Sequence, residues 1–243
     1  MMEALIFAAG LGTRLKEFTH DKPKALVLLA GKPLIQHAIE HLINFGITHI
    51  IINVHHFADQ VIEFIESNHS FGIQIDISDE RELLLDTGGG LKKAGRFFNG
   101  NEPILIYNVD VISNLDVNNL LEFHKQSMAL ATLVVRQRET SRYLMFSPDM
   151  LLTGWKNFSL GETIVSRDDL FAESRPLAFS GIHIMEPKIL DLITEEGKFP
   201  IMDLYLRLAK DHPIKAYIDQ SELWMDLGKP AQLAEAEKLF LSK

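Results

Sequence analysis

The chain has 243 residues, 47% hydrophobic and 23% charged, a composition that suits one globular domain with a sizeable core. Its 24 basic and 33 acidic side chains leave a formal net charge of −9, which opposes non-specific binding to nucleic acid or to anionic membranes. Without cysteine, disulfides and thiolate metal sites are excluded, and a reducing compartment is a natural setting.

The chain starts Met1-Met2-Glu3, with an acidic residue where a signal peptide would be basic, and the apolar run ends at Gly10. No apolar stretch approaches the roughly 20 residues of a membrane span. The expectation is a cytoplasmic protein that binds neither membrane nor nucleic acid.

Leu5 to Ala9 reads as a buried strand. Residues 10 to 24, rich in Gly, Thr, Lys, Arg and Pro, read as a loop. Pro33 opens a helix that Gly46 closes. Ile50 to Val54 is a second buried strand, followed by a helix through Val61 and Ile65, a strand at Ile73 to Ile77, another at Ile104 to Tyr107 and a helix at Leu115 to Lys125. This alternation predicts a mainly parallel sheet with helices on both faces. Thereafter the rhythm changes. Short strands at Leu130 to Val135, Tyr143 to Phe146 and Leu151 to Trp155 suggest an antiparallel portion. A strand at Leu177 to Met185 follows, then helices near 187–194 and 200–210, strands at 214–218 and ending at Asp226, and a closing helix at Ala231 to Leu241. No linker or repeat interrupts the chain, so residues 1–243 read as a single domain.

Five motifs carry chemistry. The first is Ala8-Ala9-Gly10-Leu11-Gly12-Thr13-Arg14-Leu15, with Lys22-Pro23-Lys24 soon after. It lies just past a strand's carboxyl end, where α/β sheets bind ligands, and glycine-rich backbone there forms anion nests. Leu15 stands where a dinucleotide fingerprint needs a third glycine, and Pro33 after Gly31-Lys32 rules out a Walker A loop. The second is Asp86-Thr87-Gly88-Gly89-Gly90, whose glycines open a helix and allow a flat ring or a phosphate to approach the backbone. The third is Asn108-Val109-Asp110, where an aspartate past a buried strand can hold Mg²⁺. The fourth is Trp224-Met225-Asp226-Leu227-Gly228-Lys229, and the fifth Phe179-Ser180-Gly181-Ile182-His183. The ten histidines form no metal pattern, and His55-His56 reads as a solvated loop pair.

In this order the motifs resemble those of the sugar-phosphate nucleotidylyltransferases. The triple glycine looks most like the short branch that contains N-acetylmuramate 1-phosphate uridylyltransferase. The resemblance implies a Rossmann-like α/β fold with a mixed, mainly parallel sheet and a small antiparallel sugar-binding portion. It implies a nucleotide site at Ala8, Ala9, Gly10, Gly12, Thr13, Arg14, Gly88, Gly89 and Asn108. Arg14 would contact the β- and γ-phosphates, and Lys24 would bridge the α-phosphate and the incoming phosphate, making Arg14, Lys24 and Asp110 the catalytic set. Asp110 and Asp226 would hold Mg²⁺. Tyr143, Lys156, Gly181 and Asp226 would form the sugar-phosphate side, with Lys156 in place of a lysine that many members carry in a Glu-x-Lys-Pro segment absent here.

The reaction implied is NTP plus sugar 1-phosphate giving a nucleotide sugar and pyrophosphate, in nucleotide-sugar synthesis for the cell envelope. UTP with an N-acetylmuramate-like or hexose 1-phosphate comes first. A guanylyltransferase for mannose or heptose 1-phosphate and a phosphocholine cytidylyltransferase are the alternatives. A glycosyltransferase that consumes nucleotide sugars, or a non-catalytic nucleotide-sugar sensor, are rivals of other classes. Oligomeric state is left open.

Overall fold

A computed structural model describes residues 2–241 of the chain. The first apolar run forms β1 (Glu3–Phe7), buried throughout. The glycine-rich segment after it stays irregular except for two single turns of 3-10 helix, and a short hairpin follows, β2 (Leu28–Leu29) with β3 (Lys32–Pro33). Pro33 then caps α1 (Leu34–Asn44), where the missing N–H falls outside the helical bonding pattern. The parallel half is completed by β4 (His49–Val54), α2 (Ala58–Ser67), β5 (Gln74–Asp79), α3 (Asp86–Ala94) and β6 (Ile104–Asn108). These strands lie in the order β6-β1-β4-β5, all parallel, with Leu5 opposite both Ile51 and Ile106.

The second half comprises β7 (Val111–Ser113), α4 (Val117–Ser127), β8 (Ala131–Arg136), β9 (Arg142–Phe146), β10 (Leu152–Asn157), β11 (Glu162–Val165), α5 (Asp168–Phe171), β12 (Arg175–Met185), α6 (Ile201–Leu208), β13 (Ile214–Ile218), β14 (Trp224–Asp226) and α7 (Pro230–Leu241). β12 runs antiparallel to β6 and joins the two halves, with β8 beside one part of its length and β9 beside another. β9, β10 and β11 continue outward as an antiparallel meander.

Because successive strand residues point to opposite faces, β1 supplies both cores. Leu5 packs with Ile51, Ile106, Leu91 of α3 and Leu204 of α6 on one face. Ala4 and Ile6 pack with Ile35 and Ile39 of α1, Val61 of α2 and Leu120 of α4 on the other. Both faces of β1, β4 and β6 are covered, which is why these strands read as mainly apolar runs, whereas the edge strand β5 alternates. Two features escaped the sequence reading. β11 is exposed at all four residues and half polar, so no buried pattern marks it. β14 was legible as a strand, but its partner β7 is only three residues long. Among the described residues no helix is long and apolar enough to cross a membrane.

Candidate active site

A cavity of about 410 Å³ opens where β1, β4, β5 and β6 end. Gly10, Leu11, Gly12, Thr13, Arg14 and Lys24 form one wall, and Leu84, Asp86, Thr87 and Lys198 face it. Asn108, Val109 and Asp110 lie at its floor, with Gly228 at the rim.

Asn53, a buried polar residue near the end of β4, holds the floor together. Its Oδ1 accepts the N–H groups of Ala8 at 2.7 Å and Ala9 at 3.2 Å. Its Nδ2 donates to Glu80 Oε1 at 2.8 Å, and Glu80 Oε2 accepts the N–H of Leu85 at 3.1 Å. Glu80 is fully buried, and that burial raises the pKa of its carboxyl against the lowering effect of these bonds. The side chain thus ties the glycine-rich loop to the start of α3. His55, expected to be solvated, instead bonds the Glu80 carbonyl through Nδ1 at 2.7 Å. The N–H groups of Ala8 and Ala9 are already bonded; Ala9 lines the cavity, whereas Ala8 packs into the core below it.

Lys24 is buried and ion-pairs with Asp110. The two expected carboxylates are brought close by the β7–β14 ladder, which sets Asp226 opposite Val111. The N–H of Leu227 donates to the Asp110 carbonyl at 2.8 Å, and that of Gly228 to Asp226 Oδ1 at 2.8 Å. A Cβ at Gly228 would lie 2.6 Å from Arg14 Nη2, so only glycine lets the Arg14 guanidinium reach the closing motif. Two aspartates, a lysine and an arginine from three segments far apart in sequence meet here. Among the described residues no group of three or more potential ligand side chains exists. Two carboxylates with hard oxygens nonetheless match what Mg²⁺ takes from a protein, since it keeps most of its water.

The family model described as nucleotidyl transferase matches residues 3–243. The chain belongs to the nucleotidyl transferase family. It is 33% identical to the N-acetylmuramate alpha-1-phosphate uridylyltransferase of Caulobacter vibrioides, over 97% of this chain and 96% of that protein. It is equally 33% identical to a mannose-1-phosphate guanyltransferase of Gibberella zeae, over 99% of this chain but only 65% of that one. Among solved structures, HddC from Yersinia pseudotuberculosis complexed with GMP-PN superposes with a TM-score of 0.76 at 23% identity, covering 99% of this chain and 100% of that one. A UDP-glucose pyrophosphorylase complexed with UDP-glucose gives 0.78 at 17%, covering 100% and 99%. These solved structures share the mixed-sheet architecture described above. As a nucleotidyl transferase the chain is an enzyme, and the glycosyltransferase reading falls away.

In this nucleotidyl transferase the glycines of α3 do something other than expected. A Cβ on Gly88 would sit 2.2 Å from the Phe199 ring, and one on Gly89 2.4 Å from the Gly197 carbonyl oxygen. The N–H groups of Gly88 and Gly89 both donate to the Phe199 carbonyl, at 2.9 and 3.3 Å. The close approach is thus made by the protein's own 197–199 segment. That segment brings Lys198 to the cavity, a residue the sequence reading missed. Gly181 behaves similarly, since its Cβ would meet Asn108 Nδ2 and Val111 Cγ2 at 2.9 Å.

The expected sugar-side residues lie outside the main cavity. The Tyr143 hydroxyl accepts the Thr140 N–H at 3.1 Å. Lys156 sets its Nζ over the Phe171 ring, 5.1 Å from the centroid. Asn53 and Glu80 were also missed. A polar residue ending a buried apolar strand was the available signal for Asn53, because such a group must be hydrogen-bonded.

Proposed function

We propose that the enzyme transfers a nucleoside monophosphate from an NTP to a sugar 1-phosphate, forming a nucleotide sugar and releasing pyrophosphate. The observation that carries this reading is the convergence of the Gly10–Arg14 loop and the Lys24–Asp110 pair at the cavity, with Asp226 held beside it by the β7–β14 ladder. The names of the relatives with a matching full-length or partial span support it.

The acceptor phosphate has a second pKa near ~6, so its oxygen is ionised at neutral pH and no general base is needed. That oxygen forms a bond to the α-phosphorus while the bond to the β-bridging oxygen breaks, its electron pair leaving with pyrophosphate. The obstacle is repulsion between two polyanions. Lys24 and Arg14 offset it, and the backbone of the glycine loop cradles the leaving phosphates. Asp110 and Asp226 would hold Mg²⁺, which when bound supplies positive charge to the phosphoryl oxygens. Alignment of the two substrates supplies much of the remaining acceleration.

We place GTP ahead of the UTP expected from sequence, with mannose- or heptose-type 1-phosphates as the first acceptors. The several guanyltransferases among the relatives support this order, although the chain spans 65% of their length. UTP with N-acetylmuramate 1-phosphate is the second reading. It is favoured by the match along the whole uridylyltransferase.

Pyrophosphate release by purified protein with Mg²⁺, five NTPs in turn and a panel of acceptor phosphates tests the proposal, with EDTA as control. Metal-dependent release with GTP and a neutral hexose or heptose 1-phosphate is the expected result. Release with UTP and N-acetylmuramate 1-phosphate would establish the second reading. Nucleotide binding without release on any acceptor would point to a sensor.

A further inference from the structure

We infer that Arg138, and not Lys156, is the cation that receives the acceptor's phosphate; the inference rests on the reaction proposed above. Arg138 leaves the end of β8 and crosses towards the closing motif. Its guanidinium carbon lies 4.7 Å from the Trp224 ring centroid, a stacked cation–π contact two residues before Asp226. Its Nη2 donates to the Phe179 carbonyl at 2.9 Å, beside Ser180 and Gly181. Trp224 is pinned in turn, its Nε1 donating to the Ser180 carbonyl at 2.9 Å. The guanidinium is therefore fixed in place by β12 and β14 together.

It is fixed without an ion pair. Among the described residues Arg138 makes no ion pair, and its Nε is buried with no partner. Neighbouring Arg136 provides the contrast, because it ion-pairs with Asp219 and donates from Nη2 to the Ser221 carbonyl at 2.7 Å. Burial lowers the pKa of Arg138, while the negative charge of Asp226 acts on it in the opposite sense. A half-buried guanidinium without a carboxylate partner is costly to hold, and an arriving dianion removes that cost.

The position suits the chemistry. The acceptor phosphate must reach the α-phosphate between Asp110 and Asp226. Lys24 and Arg14 guard the loop side of that gap, and Arg138 stands over Trp224 on the side of the closing motif. The planar fork of arginine matches two phosphate oxygens at once. Lys156 is instead engaged with Phe171 on the β10 side of the meander.

The test compares Arg138→Ala, Arg138→Lys and Lys156→Ala with the unmodified enzyme. Calorimetry with Mg²⁺ and a non-hydrolysable GTP analogue in place, titrating glucose 1-phosphate and then inorganic phosphate, reads binding without turnover. Arg138→Ala should weaken binding of both titrants roughly 10- to 100-fold, the range for a lost charged hydrogen bond. Nucleotide binding should stay within about twofold, and Arg138→Lys should recover part of the loss because charge remains while the fork is gone. Lys156→Ala should leave both affinities within about twofold. Thermal unfolding of each variant separates lost binding from lost folding, with Arg138→Lys as the milder substitution. Unchanged phosphate affinity in Arg138→Ala, a larger loss in Lys156→Ala, or no phosphate binding by the unmodified enzyme would overturn the inference. Phosphate binding that depends on Arg138 in a protein that releases no pyrophosphate would count against the proposed reaction alone.

Discussion

Glu80 shows how much one buried side chain can organise. Its two oxygens satisfy the Asn53 amide and the Leu85 N–H, and through Asn53 the backbone of Ala8 and Ala9. Replacing it with alanine leaves two buried donors unsatisfied, at about 1–3 kcal/mol each. Glu80→Ala should therefore lower the unfolding midpoint and weaken nucleotide binding together; a normal midpoint in thermal denaturation would show that water or a local shift replaces it. At this scale the sequence was legible where residues cluster locally. Arg14, Lys24 and Asp110, each read from a short motif, line one cavity. Asn53, Glu80, Arg138 and Lys198 were not legible, because each acts through partners tens of residues away.

The elements explain why the triple glycine exists. Alanine normally favours a helix over glycine by about 1 kcal/mol. At Gly88, however, the added methyl would strike the buried Phe199 ring, and overpacking of this kind costs about 1–3 kcal/mol. Gly88→Ala should be net destabilising and should loosen the 197–199 segment from α3. Gly95→Ala is the matched comparison, since its Cβ would meet Leu190 only at 3.5 Å in ordinary contact. That variant should be neutral or slightly stabilising. Equal midpoints for the two in denaturant unfolding would contradict the packing account. The glycines were legible as a site where backbone must approach closely, yet the sequence alone suggested a ligand and not a segment over 100 residues downstream. Register has the same character: β14 has an evident strand pattern, but nothing local in it points to β7 as its partner.

Across the whole molecule, the parallel half was legible because strands buried on both faces are apolar throughout. The outer meander was less so, since β11 has no buried face. Titration also belongs to this scale. Burial lowers the pKa of His41, His124 and His183, the last to about 3 from 6.5, with both His183 ring nitrogens unpartnered. Each is a base whose folded pKa is depressed, so the unfolded chain binds more protons between the two values. The resulting stability is full above pH ~6.5 and is lost as pH falls. The unfolding midpoint should therefore drop between pH 7 and pH 5. His183→Leu should flatten that slope with little loss at pH 7, because it removes an unsatisfied polar group from an apolar site. A slope unchanged by His183→Leu would place the acid sensitivity elsewhere.

The central claim is that Asp110, paired with Lys24 and set beside Asp226, makes this cavity a site of nucleotidyl transfer. Asp110→Asn keeps the side chain's shape and removes its charge. Pyrophosphate release in Mg²⁺ should fall on the order of 100-fold or more, while far-ultraviolet circular dichroism and the unfolding midpoint stay close to those of the unmodified enzyme. Near-normal release by a folded Asp110→Asn protein would contradict the account.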